Sequence, residues 1–261
     1  MNSIAVFYQY LRYRMRAFTK HDIHSPFVFD LVTQVIDDKS HRPSYDRIEV
    51  LRKSLLKSAD EIEVLDLGAG SGHMKGDKRK VRDIAAHAGK QSKYGRLLFR
   101  LSERFNAAEM LELGTSLGIS ALYQKAGNRA GHMTSLEGCP NTAAIAAKNF
   151  QSMDMADIRI MPGDFDQTLP LYLQSIQKLD QVFFDGNHRH EPTIRYFRAC
   201  LAKAHEGSVF IVDDIHWSPG MEAAWEEIKA MPEVTVTLDL FFMGLVFFRK
   251  GQAREHFEIR F

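Results

Sequence analysis

One stretch of the chain, residues 109–123 with the sequence EMLELGTSLGISALY, constrains the fold more than any other. It contains an apolar run that reaches an acid, spaced glycines at positions 114 and 118, and then a helical pattern. Glycine allows turn conformations that a Cβ atom forbids and lets the backbone come close to a ligand. In open α/β folds such a turn lies at the carboxyl edge of a parallel sheet, where ligands bind. The stretch therefore predicts a strand, a ligand-binding loop and a helix.

The same order of strand and helix repeats along the rest of the chain. Apolar runs alternate with segments of helical spacing, which predicts a parallel sheet with helices on both faces. The last two runs meet around residues 242–244 as a hairpin, so the final strand should run antiparallel. We predict an α/β, Rossmann-like sheet of seven strands, near residues 110–113, 132–136, 157–161, 180–185, 208–213, 234–240 and 244–249.

The first 90 residues lack this alternation and predict an N-terminal helical cap or lid, followed by the α/β domain at residues 91–261. Helices are expected near residues 4–18, 26–37 and 46–58. The first helix is basic and aromatic and could lie on a membrane. A helix packed on its own domain is favoured, because a second membrane anchor is absent. We therefore expect no membrane partner.

Three possible metal ligands, His21, Asp22 and His24, precede the second of these helices. A structural zinc site needs a fourth ligand at a recognisable spacing, which the sequence does not supply. We therefore interpret the segment as the approach to a helix that Ser25 caps and Pro26 begins.

Acidic residues follow the second and third predicted strands of the main sheet. Glu137 ends the second strand, where a carboxylate can accept hydrogen bonds from both hydroxyls of a ribose. Asp164 follows the third strand and could accept a bond from the amino group of adenine. Either acid could instead cap the helix that follows it. Together with the glycine loop, the two acids predict a site for an adenosyl group.

A second group of acids, Asp185, Asp213 and Asp214, follows the fourth and fifth strands. Because the carboxyl ends of parallel strands meet at one edge of a sheet, these carboxylates should converge. Oxygen ligands of this kind suit a hard divalent cation such as Mg²⁺. The alternative is that Asp185 orients a substrate and the Asp213-Asp214 pair caps the helix beginning near Pro219.

These motifs resemble those of a known family. The spacing Glu-x-Gly-x-x-x-Gly that begins at Glu112 resembles motif I of the class I S-adenosylmethionine (SAM)-dependent methyltransferases. Residues 93–249 as a whole resemble the cation-dependent, catechol-type O-methyltransferases. The resemblance implies SAM as the cofactor and a divalent cation, Mg²⁺, in the second acidic group. The implied cofactor contacts are Glu112, Gly114, Ser116, Gly118, Glu137 and Asp164, and the implied metal ligands are Asp185, Asp213 and Asp214.

Two positions depart from the pattern of that family. Its usual Asp-Asn pair reads Asp213-Asp214 here, which adds negative charge at the predicted metal site. The lysine that acts as base in the catechol enzymes is replaced by His188. Imidazole titrates near neutrality and suits proton removal from an acidified hydroxyl, so His188 is the predicted general base and acts with Asp185. As one of three histidines in this region, it could equally have a structural role.

An earlier stretch, residues 64–72 (VLDLGAGSG), matches the bare pattern of motif I better than the loop after Glu112 does. A true motif I should lead through a helix into a second strand that ends in an acid about 20 residues on. A charged run follows instead. We therefore interpret the glycine loop at residues 66–72 as a decoy that serves a turn or a lid.

The amino-acid composition limits the classes of partner and the cell compartment that the sequence predicts. The 34 basic and 33 acidic residues balance, which gives no overall attraction to nucleic acid or membrane. The two cysteines, Cys139 and Cys200, make no disulfide framework and fit a reducing compartment, so we expect a cytoplasmic protein. We find no export signal, and no apolar run reaches the roughly 18 residues that cross a bilayer.

The predicted function is metal-assisted O-methylation of a small-molecule hydroxyl by a chain that could form a homodimer. A tRNA hydroxyl is an alternative acceptor, although a basic run this short is more often a solvated face. Alternatives from other classes are a nicotinamide-dependent oxidoreductase, against which the missing Gly-x-Gly-x-x-Gly argues, and a module that binds the cofactor without turnover. The basic run consists of Lys75, Lys78, Arg79, Lys80 and Arg82.

Overall fold

The structure, a computed structural model, describes residues 3–65, 78–87 and 92–261. The predicted decoy at residues 66–72 and Lys75 of the basic run lie outside the described residues. The chain divides into two compact units. We call residues 40–177 the central unit, and residues 1–39 with 178–261 the terminal unit. The predicted boundary between a cap and an α/β domain, at residues 90 and 91, falls inside the central unit and stays a prediction.

The terminal unit begins with helix α1 (Ser3–Arg16) and helix α2 (Pro26–Leu31), which continues as a π-helical turn at Val32–Ile36. Proline suits the first turn of α2 because the first N–H groups of a helix have no partner within it. The expected cap at Ser25 differs in detail: Ser25 holds the N-cap position without a side-chain cap bond, and its hydroxyl accepts a hydrogen bond from Gln252.

Helix α1 has two faces of different character. Its inner face, with Tyr13 and the adjoining Ala17, is buried in an apolar cluster with Phe241. This packing is the arrangement that the sequence favours for the first helix. The outer face leaves large apolar side chains exposed, namely Phe7, Tyr8, Leu11 and Met15.

The central unit contains a three-stranded parallel sheet and a separate two-stranded antiparallel pair. Its elements are α3 (Pro43–Leu55), β1 (Glu61–Glu63), β2 (Lys78–Lys80), α4 (Val81–His87), α5 (Ser92–Phe105), β3 (Glu109–Leu113), α6 (Ile119–Gly127), β4 (His132–Glu137), α7 (Pro140–Ser152), β5 (Arg159–Pro162) and α8 (Phe165–Ser175). The order β3-β4-β5 is that of the first three predicted strands. The pair β1-β2 and helix α4 were not predicted, because short elements rich in charged residues carry little periodic signal.

Apolar helix faces build the core of the central unit. Ile48 of α3, Phe99 of α5, Tyr123 of α6 and Phe150 of α7 belong to one buried cluster. Helices α5 and α6 approach closely because Gly95 faces the ring of Tyr123: a Cβ atom at Gly95 would lie 2.4 Å from that ring. Leu117, in the turn between β3 and α6, belongs to the same cluster.

The rest of the terminal unit is a five-stranded mixed sheet with two helices. Its elements are β6 (Gln181–Phe184), α9 (His190–Leu201), β7 (Val209–Asp213), α10 (Pro219–Ala230), β8 (Val236–Asp239), β9 (Met243–Phe247) and β10 (Glu255–Glu258). The strand order is β10-β8-β9-β7-β6, with β6 parallel to β7 and with β9 antiparallel to both β7 and β8. Helix α10 begins where Ser218 accepts a hydrogen bond from the Met221 backbone and Pro219 fills the first turn.

The predicted α/β, Rossmann-like architecture is confirmed, and all seven predicted strands are present. The antiparallel seventh strand is β9, which lies between β7 and β8. Strand β10 is one strand beyond the seven predicted, and it pairs in parallel with β8 at the edge of the sheet. Its sequence, EHFE, is too short and too charged to give a strand pattern. No helix in the described residues has the length and apolar content needed to cross a membrane.

We expect alanine at Gly118 to destabilise the protein strongly. Gly118 has φ +84°, and a Cβ atom there would lie 2.4 Å from the Phe150 ring. Alanine would therefore carry both the cost of a left-handed conformation, about 1–2 kcal/mol, and an overpacking cost of about 1–3 kcal/mol. The measurement is the free energy of unfolding in urea.

The matched control is Gly251→Ala, because Gly251 has φ +71° and no atom within 4 Å of the added methyl group. We expect the control to lose only the backbone cost. Equal losses in the two variants would mean that the contact between Gly118 and Phe150 has no importance for stability.

Candidate active site

The loop between β3 and α6 turns through three left-handed residues. Gly114 has φ +104°, Ser116 has φ +48° and Gly118 has φ +84°. The backbone N–H of Gly114 donates to the carbonyl of Leu136 at the end of β4, at 2.9 Å. Glycine takes these angles at little cost, which explains Gly114 and Gly118, whereas Ser116 takes its angle without that freedom.

Glu137 clamps this loop. One of its carboxylate oxygens accepts a hydrogen bond from the Ser116 N–H at 2.8 Å, and the other accepts one from the Cys139 N–H at 2.9 Å. The Glu137 carbonyl accepts a further bond from the Gly163 N–H at 2.8 Å. The carboxylate is part-buried at the end of β4. The structure thus brings Gly114, Ser116 and Glu137 together at the carboxyl edge of the central sheet.

Glu112 is buried beneath the loop rather than exposed beside it. Its carboxylate accepts hydrogen bonds from Gln124 of α6 at 3.0 Å and from Ser135 of β4 at 2.6 Å. The Ser135 hydroxyl also bonds to the Thr115 hydroxyl at 2.6 Å. Glu112 is fully buried, so these bonds join β3, β4 and α6 under the glycine turn. A direct contact between Glu112 and a cofactor stays a prediction.

Asp164 is an exposed N-cap residue of α8. Its carboxylate accepts a hydrogen bond from the Asp166 N–H at 2.9 Å, which is the cap geometry that the sequence left open as an alternative. Capping and a contact to adenine are compatible, because a carboxylate has two oxygens that can each accept bonds. The contact to adenine stays a prediction.

The second acidic group lies wholly within the terminal unit. Strands β6 and β7 pair with Phe184 opposite Val212, so Asp185 and Asp213 follow at neighbouring strand ends. Ligand atoms of Asp185, His188 and Asp213 lie within 4.8 Å of one another. The Nε2 atom of His188 is 3.9 Å from an Oδ atom of Asp185. Asp213 is 4% exposed, so the charge of its carboxylate is largely removed from water.

Asp214 is not a member of this group of three. It has φ +55°, its N–H donates to the Phe242 carbonyl at 2.7 Å, and its carbonyl accepts from the Trp217 N–H at 2.9 Å. The first of these bonds joins the segment after β7 to the turn between β8 and β9, and the second lies within that segment. A ligand role for Asp214 stays a prediction, whereas His188 stands where the sequence placed a third carboxylate.

The three histidines of this region have different partners. His190 pairs with Glu227 at 3.0 Å. His216 pairs with Asp239 at 2.8 Å and with Glu222 at 3.5 Å. His188 alone of the three belongs to the group with Asp185 and Asp213. The spacing of the three histidines in the sequence did not indicate which of them lies beside the two aspartates.

His216 joins three elements of the terminal unit. It follows β7, its carboxylate partners lie on β8 and α10, and its ring stacks on Phe241 with 5.1 Å between centroids. Burial disfavours the charged imidazole, but the hydrogen bonds and negative charges of Asp239 and Glu222 outweigh it, so the pKa of His216 is raised. This ion-pair network was not predicted.

The other predicted ligands and basic residues have local roles. Asp22 accepts hydrogen bonds from the Thr19 hydroxyl and N–H, and these bonds lower the pKa of its carboxyl group. Within the described residues, no metal-ligand group includes His21, Asp22 or His24. Lys80 of the basic run lies 3.9 Å from Glu61, across the β1-β2 pair.

Comparisons with known proteins agree with this fold. Residues 111–215 match a family model described as a methyltransferase domain. No curated protein matches the sequence. A SAM-bound O-methyltransferase of tomaymycin synthesis, TomG from Streptomyces achromogenes, is 22% identical and has a TM-score of 0.54, with 61% of this chain and 81% of that chain covered.

Two further structures cover more of the chain. An O-methyltransferase from Bacillus cereus, in complex with SAH, is 19% identical over 85% of this chain and 97% of that chain, with a TM-score of 0.54. The SAH-bound methyltransferase PaMTH1 from Podospora anserina is 13% identical over 87% of this chain and 98% of that chain, with a TM-score of 0.60. Identities this low show the fold alone.

We expect the stability of the protein to fall as the pH rises through the raised pKa of His216. A group whose pKa is higher in the folded than in the unfolded state contributes stability below its unfolded pKa, about 6.5, and loses it as the proton leaves the folded protein. The thermal midpoint should therefore drop from pH 6 to pH 9 more in the wild type than in His216→Gln.

The comparison with His216→Gln isolates this histidine. His256, whose pKa is lowered chiefly by burial and then by Lys229 and Arg254, contributes with the opposite sign in both proteins. Parallel pH profiles for the wild type and the variant would contradict the assignment.

The resemblance to the class I methyltransferases that the sequence predicts is thus confirmed in the fold, and residues 111–215 match the model of a methyltransferase domain.

Proposed function

We propose that this protein is a SAM-dependent O-methyltransferase that acts on a small-molecule hydroxyl with the help of a divalent cation. The observation that carries the proposal is the group of Asp185, His188 and Asp213 at neighbouring strand ends, in a chain that also contains the clamped glycine loop. Structural neighbours from Bacillus cereus and Streptomyces achromogenes are O-methyltransferases in complex with SAH and SAM, which supports the choice of cofactor and of acceptor atom.

The central unit would bind the cofactor. The turn at Gly114, Ser116 and Gly118 offers backbone that a ligand can approach closely. Glu137, fixed by two backbone N–H groups, would accept hydrogen bonds from the ribose hydroxyls of SAM. Bonds between a hydroxyl and an ionised acceptor contribute about 1.5–3 kcal/mol each, enough to decide whether the cofactor binds. Asp164 would accept the bond from the adenine amino group.

The terminal unit would bind the acceptor. A divalent cation held by Asp185 and Asp213 would supply Lewis acidity that lowers the pKa of the acceptor hydroxyl. The donor set fits a cation, because two neighbouring carboxylates in a partly buried place would otherwise repel each other or take up a proton.

Methyl transfer then needs alignment and a proton acceptor. The acceptor oxygen forms a bond to the methyl carbon as the bond from that carbon to sulfur breaks, which releases S-adenosylhomocysteine. The hydroxyl proton goes to a base, for which the sequence proposes His188. Holding the two reactants in line replaces a bimolecular encounter and can lower the barrier by about 7–11 kcal/mol.

We expect the protein to bind SAM and Glu137→Gln to bind it at least tenfold more weakly, by isothermal titration calorimetry. Glutamine has a single acceptor oxygen, so it cannot receive both backbone bonds and the ribose bonds. A loss of about 1.4 kcal/mol is tenfold in affinity. Glu206→Gln, at an exposed carboxylate, is the matched control and should bind SAM normally. Binding of NAD and not of SAM would contradict the proposal and favour the oxidoreductase.

We expect methyl transfer to stop when divalent cations are removed by a chelator and to return when a cation is added back. The readout is release of S-adenosylhomocysteine in the presence of a panel of phenolic and aliphatic hydroxyl compounds. Asp213→Asn should lower the turnover at least 100-fold and leave the SAM affinity within twofold, because Asp213 lies outside the loop that is proposed to bind SAM.

Glu233→Gln, at an exposed position of the terminal unit, is the control for this loss of charge. Turnover that survives chelation would contradict metal assistance. Turnover that requires added tRNA would contradict a small-molecule acceptor.

A further inference from the structure

We infer that His188 is a ligand of the cation and not the proton acceptor, so that the site has mixed nitrogen and oxygen donors and selects Mn²⁺, Fe²⁺, Co²⁺ or Zn²⁺ over Mg²⁺. The inference rests on the divalent-cation site of the proposed function. It replaces the all-oxygen set of Asp185, Asp213 and Asp214 that the sequence suggests.

The distances fit a shared ion. Ligands bound to one ion at about 2.0–2.2 Å can be no more than about 4.4 Å apart. His188 and Asp185 already satisfy this limit, with 3.9 Å between Nε2 and Oδ1. The ligand atoms of all three residues lie within 4.8 Å of one another, so side-chain movements of less than about 1 Å would complete the set.

A turn held by hydrogen bonds places the His188 imidazole beside Asp185. Asn187, between the two ligands, has φ +56°, a conformation that asparagine tolerates better than most residues. Arg189 holds the turn from both sides, because its N–H donates to the Asn187 carbonyl at 2.6 Å and its Nε donates to the Asn187 side chain at 2.7 Å. The Thr193 hydroxyl donates to the same carbonyl at 3.4 Å. Left-handed residues outside glycine cost energy and cluster at functional sites.

The position of Nε2 argues against the role of base. A general base and a metal ligand both use the lone pair of a neutral ring nitrogen. The nitrogen of His188 that lies beside Asp185, and that a shared cation would bind, is Nε2. Once a cation occupies the site, that lone pair is engaged and cannot also accept the hydroxyl proton, which would pass to solvent water after the cation has lowered the pKa of the hydroxyl.

The donor set predicts the metal. Mg²⁺ prefers an octahedral shell of oxygen ligands, whereas imidazole suits Zn²⁺, Fe²⁺ and other transition metals, and carboxylates also suit Mn²⁺. One imidazole with two carboxylates therefore favours a transition metal. His188 is partly buried, with 25% of its side chain exposed, which leaves room for acceptor oxygens to complete the coordination.

The test uses the full-length protein, freed of metal by a chelator, and titrates it with MnCl₂, CoCl₂ and MgCl₂ by calorimetry. The wild type should bind Mn²⁺ and Co²⁺ at least tenfold more tightly than Mg²⁺. His188→Ala should weaken Mn²⁺ and Co²⁺ binding at least tenfold and Mg²⁺ binding by less than threefold, so that the selectivity disappears. His190→Ala, two positions away and paired with Glu227, should bind all three like the wild type.

A spectroscopic measurement separates ligation from indirect effects. Electron spin-echo measurements on the Mn²⁺-loaded wild type should show modulation from a coordinated imidazole nitrogen, and His188→Ala should lose it. If His188→Ala binds Mn²⁺ as tightly as the wild type and only its turnover falls, His188 is the base and the inference is wrong.

Failure of the cation site itself has a different result. In that case neither the wild type nor Asp213→Asn would bind any of the three ions. SAM binding, measured separately, would still report on the cofactor half of the proposed function.

Discussion

The two hydrogen bonds from backbone N–H groups to the Glu137 carboxylate are the interaction on which the glycine loop between β3 and α6 depends. They join the turn after β3 to the end of β4, so the left-handed backbone at Ser116 is held by a charged acceptor and not by packing alone. Hydrogen bonds to an ionised group are shorter and stronger than those between neutral groups. Beneath them, the buried Glu112 joins the same two strands to α6 through Ser135 and Gln124. The Glu137 carboxylate thus fixes the backbone of the loop, and the buried Glu112 carboxylate joins the elements on either side of the loop.

The terminal unit also has left-handed backbone after its strands, but other hydrogen bonds hold it in place. Among the described residues of this unit, three other than glycine have left-handed backbone, namely Asn187, Asp214 and Phe241, and all three follow strand ends. Strained residues persist only where their surroundings determine them fully. Asn187 is held by Arg189, Asp214 by the Phe242 carbonyl, and Phe241 by its N–H bond to Asp239. Asp239 also pairs with His216, so the bonds that fix the turn after β8 and those that fix the segment after β7 meet in one side chain.

These supports explain why the residues proposed to bind ligands are few and local. Asp185, His188 and Asp213 lie on two adjacent strand ends and a four-residue turn, and their positions follow from strand pairing and one left-handed residue. Replacing an oxygen donor by imidazole nitrogen at such a site changes which metal it prefers without changing the fold. The donor set, more than the sheet that supports it, would therefore decide the chemistry.

The sequence alone determined the order of elements, because apolar strands and amphipathic helices are local patterns that survive without knowledge of the fold. The seven predicted strands, the antiparallel hairpin and the glycine turn were all readable in this way. Strand β10 and the β1-β2 pair were not, because charged strands depend on their partners and not on their own composition. Only the tertiary structure showed that His188, and not His190 or His216, lies beside the two aspartates. It also showed that the Glu112 side chain points into the interior and that Asp164 caps a helix. Chain spacing does not specify the direction of a side chain at a strand end. That direction is decided by the neighbours that the fold brings beside it.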